Sequence, residues 1–107
     1  MQNADYDNIP FDEPVVIEIT DVLDLHTIPP RDVKRTLEAY LLEAHARSFA
    51  VVRIIHGKGI GQLRQTVHSI LSKLPEVASF ALASEHFGGW GATIVHLHPL
   101  NDSGGRD

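Results

Sequence analysis

Two segments of the chain repeat apolar residues at the spacing of a helix face. In the first, which starts at Pro30, a residue well suited to the first turn of a helix, the apolar positions are Val33, Leu37, Tyr40, Leu41 and Ala44. In the second, which Pro75 ends, they are Leu63, Val67, Ile70, Leu71 and Leu74. The spacing predicts amphipathic helices over roughly 30–46 and from about 61 to 74.

Short apolar runs before, between and after these helices are typical of strands. β-Branched residues dominate 50–55, which is long enough for a buried strand and too short for a typical helix. Within the predicted strand 22–26, Leu23 and Leu25 face one way and Asp24 and His26 the other, as the two-residue period of a strand requires. Residues 77–83 and 92–97 are predicted as two further strands, and 15–19 as a short edge strand.

From residue 22 onward the predicted order is β-α-β-α-β-β, which indicates an α/β fold: a two-layer sandwich with a mixed sheet. The first two strands are expected to be parallel, because a helix crosses over between them. The last two are joined by only eight residues, 84–91, which is too short for a crossover helix and favours an antiparallel pair. A chain of 107 residues has room for one core. We therefore expect one domain over residues 20–99, flanked by an acidic arm, 1–19, and a disordered tail, 100–107.

The formal charge of −5 is unevenly distributed along the chain. Seven of the 14 acidic residues lie within residues 1–24, where no Lys or Arg occurs. The rest of the chain sets seven acidic residues against nine Lys and Arg, a formal charge of +2. This mildly basic body is compatible with a local phosphate-binding face, although it is far less basic than many nucleic-acid-binding proteins.

Composition also excludes several classes of protein and of site. No stretch approaches the ~20 apolar residues of a membrane helix, and the first residues lack the basic and apolar regions of a signal peptide. We therefore expect a cytoplasmic protein with no membrane partner. The absence of cysteine excludes disulfides, thiolate zinc sites and a cysteine nucleophile.

Chemically versatile residues follow both of the strands that are predicted to be parallel. Asp24-Leu25-His26 ends the first strand, and His56-Gly57-Lys58-Gly59 follows the second. Parallel strands end at the same edge of a sheet, where ligands of open α/β sheets usually bind. The sequence thus predicts one cleft that holds a carboxylate, two imidazoles, an ammonium group and several glycine amides.

Asp24 and His26 point to the same side of a strand, so the carboxylate can orient the imidazole for general acid or base catalysis. The alternative is that both only make local hydrogen bonds at the strand end. His56 either joins this pair or caps the loop in which it lies.

The glycine loop is a candidate phosphate site. Gly57, Gly59 and Gly61 can expose backbone N–H groups before the second helix, whose N-terminus favours anions, while Lys58 and Arg64 add positive charge. The loop matches neither the Walker A pattern nor G-x-G-x-x-G, which argues against nucleoside triphosphate hydrolysis. The alternative is that the glycines only form a tight turn between strand and helix.

Seven histidines raise the question of metal binding, but no H-E-x-x-H pair occurs. Asp24, His26 and His56 could chelate an ion in principle, yet no spacing fixes a third ligand. The sequence therefore predicts no resident metal site and leaves open a Mg²⁺ ion carried by a nucleic-acid substrate. His45 and His68 are predicted to be surface or packing residues. Trp90 is either a core anchor or a platform on which an unpaired base stacks.

Three motifs together resemble the Smr (small MutS-related) domain family, which occurs at the C-terminus of MutS2-type proteins, in plant pentatricopeptide-repeat proteins and as small stand-alone proteins. The motifs are Leu23-Asp24-Leu25-His26, then His56-Gly57-Lys58-Gly59 with Gly61 and Leu63-Arg64, then Gly89-Trp90-Gly91-Ala92-Thr93. The resemblance spans roughly residues 20–98. It implies a fold similar to the C-terminal domain of a bacterial translation initiation factor. Many members have glycine after the first motif, where this chain has Thr27.

The resemblance implies endonuclease activity on RNA or DNA, since members of the family are associated with it and some act on messenger RNA at stalled or collided ribosomes. We therefore expect an endonuclease that hydrolyses RNA or branched or flexible DNA; the alternatives are a non-catalytic nucleic-acid or ribosome-binding module and a phosphometabolite binder. The predicted catalytic residues are Asp24, His26 and His56. The predicted nucleic-acid-binding residues are Gly57, Lys58, Gly59, Gly61, Arg64 and Trp90.

Overall fold

The computed structural model describes residues 19–59, 61–84, 86 and 91–100. These residues form, in chain order, β1 (Val22–Asp24), α1 (Pro30–Ala46), β2 (Val51–Ile55), α2 (Gln62–Leu71), β3 (Val77–Leu82) and β4 (Ala92–Leu97). The predicted order β-α-β-α-β-β is therefore confirmed. The predicted strand at 15–19, apart from Ile19, lies outside the described residues, as do the arm before it and the tail from 101 onward.

The described strands form one mixed sheet with the spatial order β1-β2-β4-β3. β1 runs parallel to β2, and α1 makes the crossover between them. β2 pairs antiparallel with β4, and so does β3. The mixed sheet and the parallel first pair agree with the prediction.

Two elements end earlier than their apolar patterns suggest, each for a local reason. β1 ends at Asp24 rather than at 26, because two local hydrogen bonds turn the chain there. The Asp24 carboxylate accepts a hydrogen bond from the amide of His26 at 3.0 Å, and the carbonyl of Leu25 accepts one from the amide of Ile28 at 3.0 Å. α2 ends at Leu71 rather than at 74, in keeping with Pro75, whose ring disfavours helical geometry in the residue before it.

The helices cover one face of the sheet. Along β2, Val52 and Ile54 are buried whereas Val51 is exposed, which is the alternation expected of a strand with one covered face. The fully enclosed apolar side chains come from both layers and include Leu25, Leu37, Leu41, Ile54, Val67, Leu71 and Val95. Neither helix in the described part of the chain is long and apolar enough to cross a membrane.

Candidate functional site

Asp24 and His26 form a hydrogen-bonded pair at the carboxyl end of β1. Oδ1 of Asp24 accepts two bonds from His26, one from the backbone amide at 3.0 Å and a shorter one from Nδ1 of the ring. The side chains are 46% and 55% exposed, so the pair lies open to solvent and to a ligand. The hydrogen bond from the His26 ring, followed by that from its amide, lowers the pKa of the Asp24 carboxyl below its usual value.

This pairing decides which ring nitrogen of a neutral His26 carries the proton. An ionised carboxylate only accepts hydrogen bonds, so Nδ1 must be the protonated nitrogen. Nε2 is then the basic nitrogen, and it has no hydrogen-bond partner among the residues that the structure describes. The arrangement can accept a proton at an exposed nitrogen while a neighbouring negative charge stabilises the imidazolium that results.

The loop after β2 lies directly beside this pair. A Cβ added to Gly57, which has φ of +84°, would lie 3.6 Å from Cβ of His26. The predicted convergence of the two strand ends is therefore confirmed for Asp24, His26 and the glycine loop. Their alignment follows from the parallel register, in which Asp24 is the partner of Ile55.

The amide of Gly57 is not available to a phosphate, contrary to the prediction. The carbonyl oxygen of Gly91 accepts hydrogen bonds from the amides of both His56 and Gly57, each at 2.9 Å. Gly91 also lies so close to the loop that an added Cβ would be 3.4 Å from Cγ of Lys58 and 3.6 Å from the carbonyl carbon of Gly57. These contacts fix the start of the loop against Gly91, the residue before β4, instead of presenting all its amides to solvent.

His56 does not share the surface with Asp24 and His26. It is 4% exposed, and its Nε2 lies 2.9 Å from Oγ1 of Thr93 on β4. Nε2 of His68 on α2 approaches the same oxygen at 2.7 Å, and the two rings meet edge to face with their centroids 6.1 Å apart. The structure thus places His56 in a buried polar cluster with Thr93 and His68.

The acceptors around this cluster determine which ring nitrogens carry a proton. Nδ1 of His56 lies 3.1 Å from the carbonyl oxygen of Gly57, which only accepts, so Nδ1 carries the proton of the neutral ring. Nε2 of His56 must then accept from the hydroxyl of Thr93, and that hydroxyl in turn accepts from Nε2 of His68. One continuous chain of hydrogen bonds therefore joins α2, β4 and the glycine loop.

Burial favours the neutral form of both histidines in this chain. It is the largest cause of the lowered pKa of His56, which the nearby Arg64 guanidinium lowers further against an opposing hydrogen bond to the Gly57 carbonyl. The pKa of His68 is lowered by burial, then by His56 and Arg64. A positive charge on His56 or His68 is unfavourable beside the guanidinium of Arg64.

Positive charge lies at the junction between the loop and α2. The guanidinium of Arg64 covers Gly61, where an added Cβ would lie only 2.8 Å from Nη2, and Gly61 has φ of +86°. Gly61 is therefore required by its backbone conformation, whereas the tip of the Arg64 side chain could shift to make room for a Cβ. α2 begins after Gly61 without a side-chain cap and without an acidic residue in its first turn, which favours an anion there.

The other predicted residues of this loop are more open. Lys58 and Gly59 are exposed, and a Cβ added to Gly59 would meet nothing within 4 Å. Trp90 lies outside the described residues. Among the residues that the structure does describe, no group of three His, Asp or Glu side chains is placed to hold a metal ion.

Comparison with known proteins assigns the chain to a family. The sequence profile of the Smr domain matches residues 23–98. The chain belongs to the Smr domain family. Its predicted fold class is confirmed by the crystal structure of the Smr domain of Thermus thermophilus MutS2, which is 35% identical with a TM-score of 0.71 and covers 75% of this chain and 100% of that one.

Other relatives extend the comparison. The stand-alone small MutS-related protein YdaL from Escherichia coli is 28% identical with a TM-score of 0.68 over 73% of this chain and 64% of that one. Endonuclease MutS2 from Thermomicrobium roseum is 46% identical over 57% of this chain and 8% of its own length. Endonuclease MutS2 from Halothermothrix orenii is 37% identical over 74% of this chain and 10% of its own length. This Smr domain therefore spans about a tenth or less of the length of these curated relatives.

Sequence reasoning missed Thr93 and His68 as parts of the site. Thr93 shares the inner face of β4 with Val95 and Leu97, because side chains two residues apart point the same way. A hydroxyl at an otherwise apolar position of a buried face was the available signal, since a buried polar group needs a hydrogen-bond partner.

Replacing Thr93 by Val should destabilise this Smr domain by about 1–3 kcal/mol, because the buried His56 and the half-buried His68 lose their shared partner while the side-chain volume is kept. Urea unfolding measures the change. Thr93→Ser is the matched control, and it should retain most of the stability that Thr93→Val loses. If both variants unfold at the same urea concentration, the hydroxyl does not hold the cluster together.

The stability of the domain should fall as the pH drops from about 7 towards 5. The folded state keeps His56 and His68 neutral, whereas in the unfolded chain they take up protons around the ordinary histidine pKa of 6.5. The unfolded state then binds more protons, so acid favours unfolding, by at most about 1.4 kcal/mol per pH unit for each histidine. The lowered pKa of Asp24 acts only at lower pH, below the ordinary aspartate pKa of 3.8.

Urea midpoints measured at several pH values provide the check. His68→Gln removes one of these titrating groups while keeping an amide that can donate to Thr93, so its pH dependence should be shallower. His45→Gln, on α1, makes the same chemical change and should keep the parent slope. Equal slopes for the parent and His68→Gln would contradict this assignment.

Proposed function

We propose that this Smr domain is an endonuclease that hydrolyses RNA or branched or flexible DNA, with Asp24 and His26 as its acid–base unit. The observation that carries the proposal is the exposed pair beside the glycine loop, in which a carboxylate binds Nδ1 of the imidazole and leaves Nε2 without a hydrogen-bond partner among the described residues. The names of the MutS2 relatives support the same reaction class.

In this proposal Nε2 of His26 takes the proton from the attacking nucleophile. The nucleophile is a water molecule or, in RNA, the neighbouring 2′-hydroxyl. Asp24 keeps the ring oriented and stabilises the imidazolium, and the proton is then available for the departing oxygen. Positioned acid–base catalysis of this kind contributes about 10²- to 10⁴-fold in rate.

Lys58, Arg64 and the uncapped N-terminus of α2 form the phosphate-binding side of the proposed site. Their charges and backbone dipoles would hold the phosphate and offset the negative charge that develops on it during cleavage. The guanidinium of Arg64 lies over Gly61, next to the N-terminus of α2. His56 supports this side indirectly, since its hydrogen bonds fix the loop that carries Lys58.

Nucleic acid is the proposed partner, either free or on the ribosome, and any Mg²⁺ would arrive with it. The second candidate function is a binding module that uses the same surface without cutting. Lys58 and the N-terminus of α2 favour this alternative, because both can bind a phosphate whether or not the Asp24–His26 pair performs chemistry.

Asp24→Asn should lower the rate of cleavage at least about a hundredfold, because the amide no longer stabilises an imidazolium at His26. Affinity for the same substrate should change far less, since the carboxylate binds no phosphate. The measurement uses labelled single-stranded RNA, duplex DNA and branched DNA, each with Mg²⁺ and with a chelator.

The matched control is Asp21→Asn, which removes an exposed carboxylate from the same segment and should cleave at the parent rate. Unchanged cleavage by Asp24→Asn would place the chemistry elsewhere. Binding without cleavage by the parent on all three substrates, in both metal conditions, would favour the binding module instead.

A further inference from the structure

A groove of about 420 Å³ opens beside His26, between the first turns of the two helices. Its walls come from three segments that are distant in sequence. His26 and Ile28 lie in the turn after β1, Pro30 begins α1, and Gln62, Leu63 and Thr66 belong to the start of α2. The phosphate-binding side proposed above uses charged side chains and backbone amides, so it gives no role to the apolar surface of this groove.

The lining combines apolar walls with a polar edge. Ile28 and Leu63 are only half-buried and Pro30 is exposed, so three apolar side chains face solvent around one opening. Gln62 and Thr66 are also exposed, and an amide and a hydroxyl can both donate and accept hydrogen bonds. Apolar surfaces for the faces of a ring and a few polar groups for its edge are the features of a pocket for an unpaired nucleobase.

We propose that this groove binds one unpaired base of the strand whose phosphodiester lies at Asp24 and His26. The inference rests on the proposed function and narrows its substrate class to nucleic acid with an unpaired base next to the reacting phosphate. A base in a continuous duplex is stacked and paired, so it cannot enter without being turned out of the helix.

The position of the groove argues for this occupant. His26 belongs both to the groove and to the catalytic pair, and Gln62 and Leu63 belong to the groove and to the uncapped first turn of α2. A nucleobase in the groove therefore lies next to the proposed phosphate site and next to Nε2 of His26, the proposed general base. Arg64, which follows Leu63 on α2, carries a positive charge that favours a polyanion over a second copy of this chain, whose formal charge is −5.

Thr66→Phe tests the inference, because an aromatic ring at this exposed position fills the groove without changing the core. Ser69→Phe is the matched control, since it adds the same ring at an exposed position of α2 that does not line the groove. Both are made in the Asp24→Asn chain so that the strand is not cut. The probes are single strands of about ten nucleotides, in RNA and DNA forms, and the same phosphodiester backbone without any bases.

Thr66→Phe should bind the intact strand about tenfold more weakly than its parent, the loss expected when one base is no longer held. It should bind the base-free backbone as the parent does, and Ser69→Phe should match the parent on both probes. Gln62→Ala, which removes only an exposed amide, should weaken binding of the intact strand in the same selective way and serves as the second variant if Thr66→Phe does not fold.

The results also separate failure of the inference from failure of the proposed function. If Thr66→Phe and Gln62→Ala bind the intact strand like Ser69→Phe while Lys58→Ala binds it more weakly, the groove holds no base but the phosphate-binding surface stands. If Thr66→Phe instead changes the sedimentation of the parent, the groove is an interface between copies and the inference is wrong. If the parent binds none of the strands, both proposals are wrong.

Discussion

The parallel pairing of β1 with β2 is the interaction on which the candidate site depends. It sets Asp24 beside Ile55, and the amide of Leu25 continues the ladder by donating to the carbonyl of Ile55 at 2.7 Å. Leu25 is fully buried, so this end of β1 is fixed by packing as well as by hydrogen bonds. A one-residue slip would turn Leu25 to solvent and Asp24 into the core, so the register that builds the core also aims the carboxylate outward.

Histidines of the same chain take opposite roles because their surroundings differ. His26 is more than half exposed and bonded to a carboxylate, so its outward nitrogen can exchange a proton with a ligand. His56 and His68 have lowered pKa values, which favours their neutral forms. Both bond to the hydroxyl of Thr93 and so connect the glycine loop and α2 to the sheet. The exposed pair thus lies on a rigid base, as a site that positions reacting groups requires.

Local periodicity was enough to predict the element order and the Asp24–His26 pair, but not the order of the strands within the sheet. Apolar spacing gave both helices, strand-like runs gave the four described strands, and the crossover rule gave the parallel pair. The Asp24–His26 pair was predictable because its two members are neighbours in sequence whose relative direction a strand fixes.

What the sequence could not show are hydrogen bonds between distant residues. The amide of Gly57 donates to the carbonyl of Gly91, which immediately precedes β4, and Nε2 of His56 bonds to Thr93, 37 residues away. Both are consequences of the antiparallel pairing of β2 with β4, which the local patterns did not predict. The groove beside His26 likewise forms only where the folded chain brings the first turns of α1 and α2 together, so local sequence patterns could not show it.

The pairing of Asp24 with His26 is tested most directly by long-range ¹⁵N–¹H NMR of histidine-labelled protein at about pH 8.5, where imidazole is neutral. In the parent protein, Nδ1 of His26 should carry the proton and Nε2 should not, because the carboxylate can only accept. In Asp24→Ala, which removes the acceptor, that preference should be lost. A parent protein whose His26 is protonated at Nε2, or the same tautomer in both proteins, would contradict the assignment of Nε2 as the group that takes the proton.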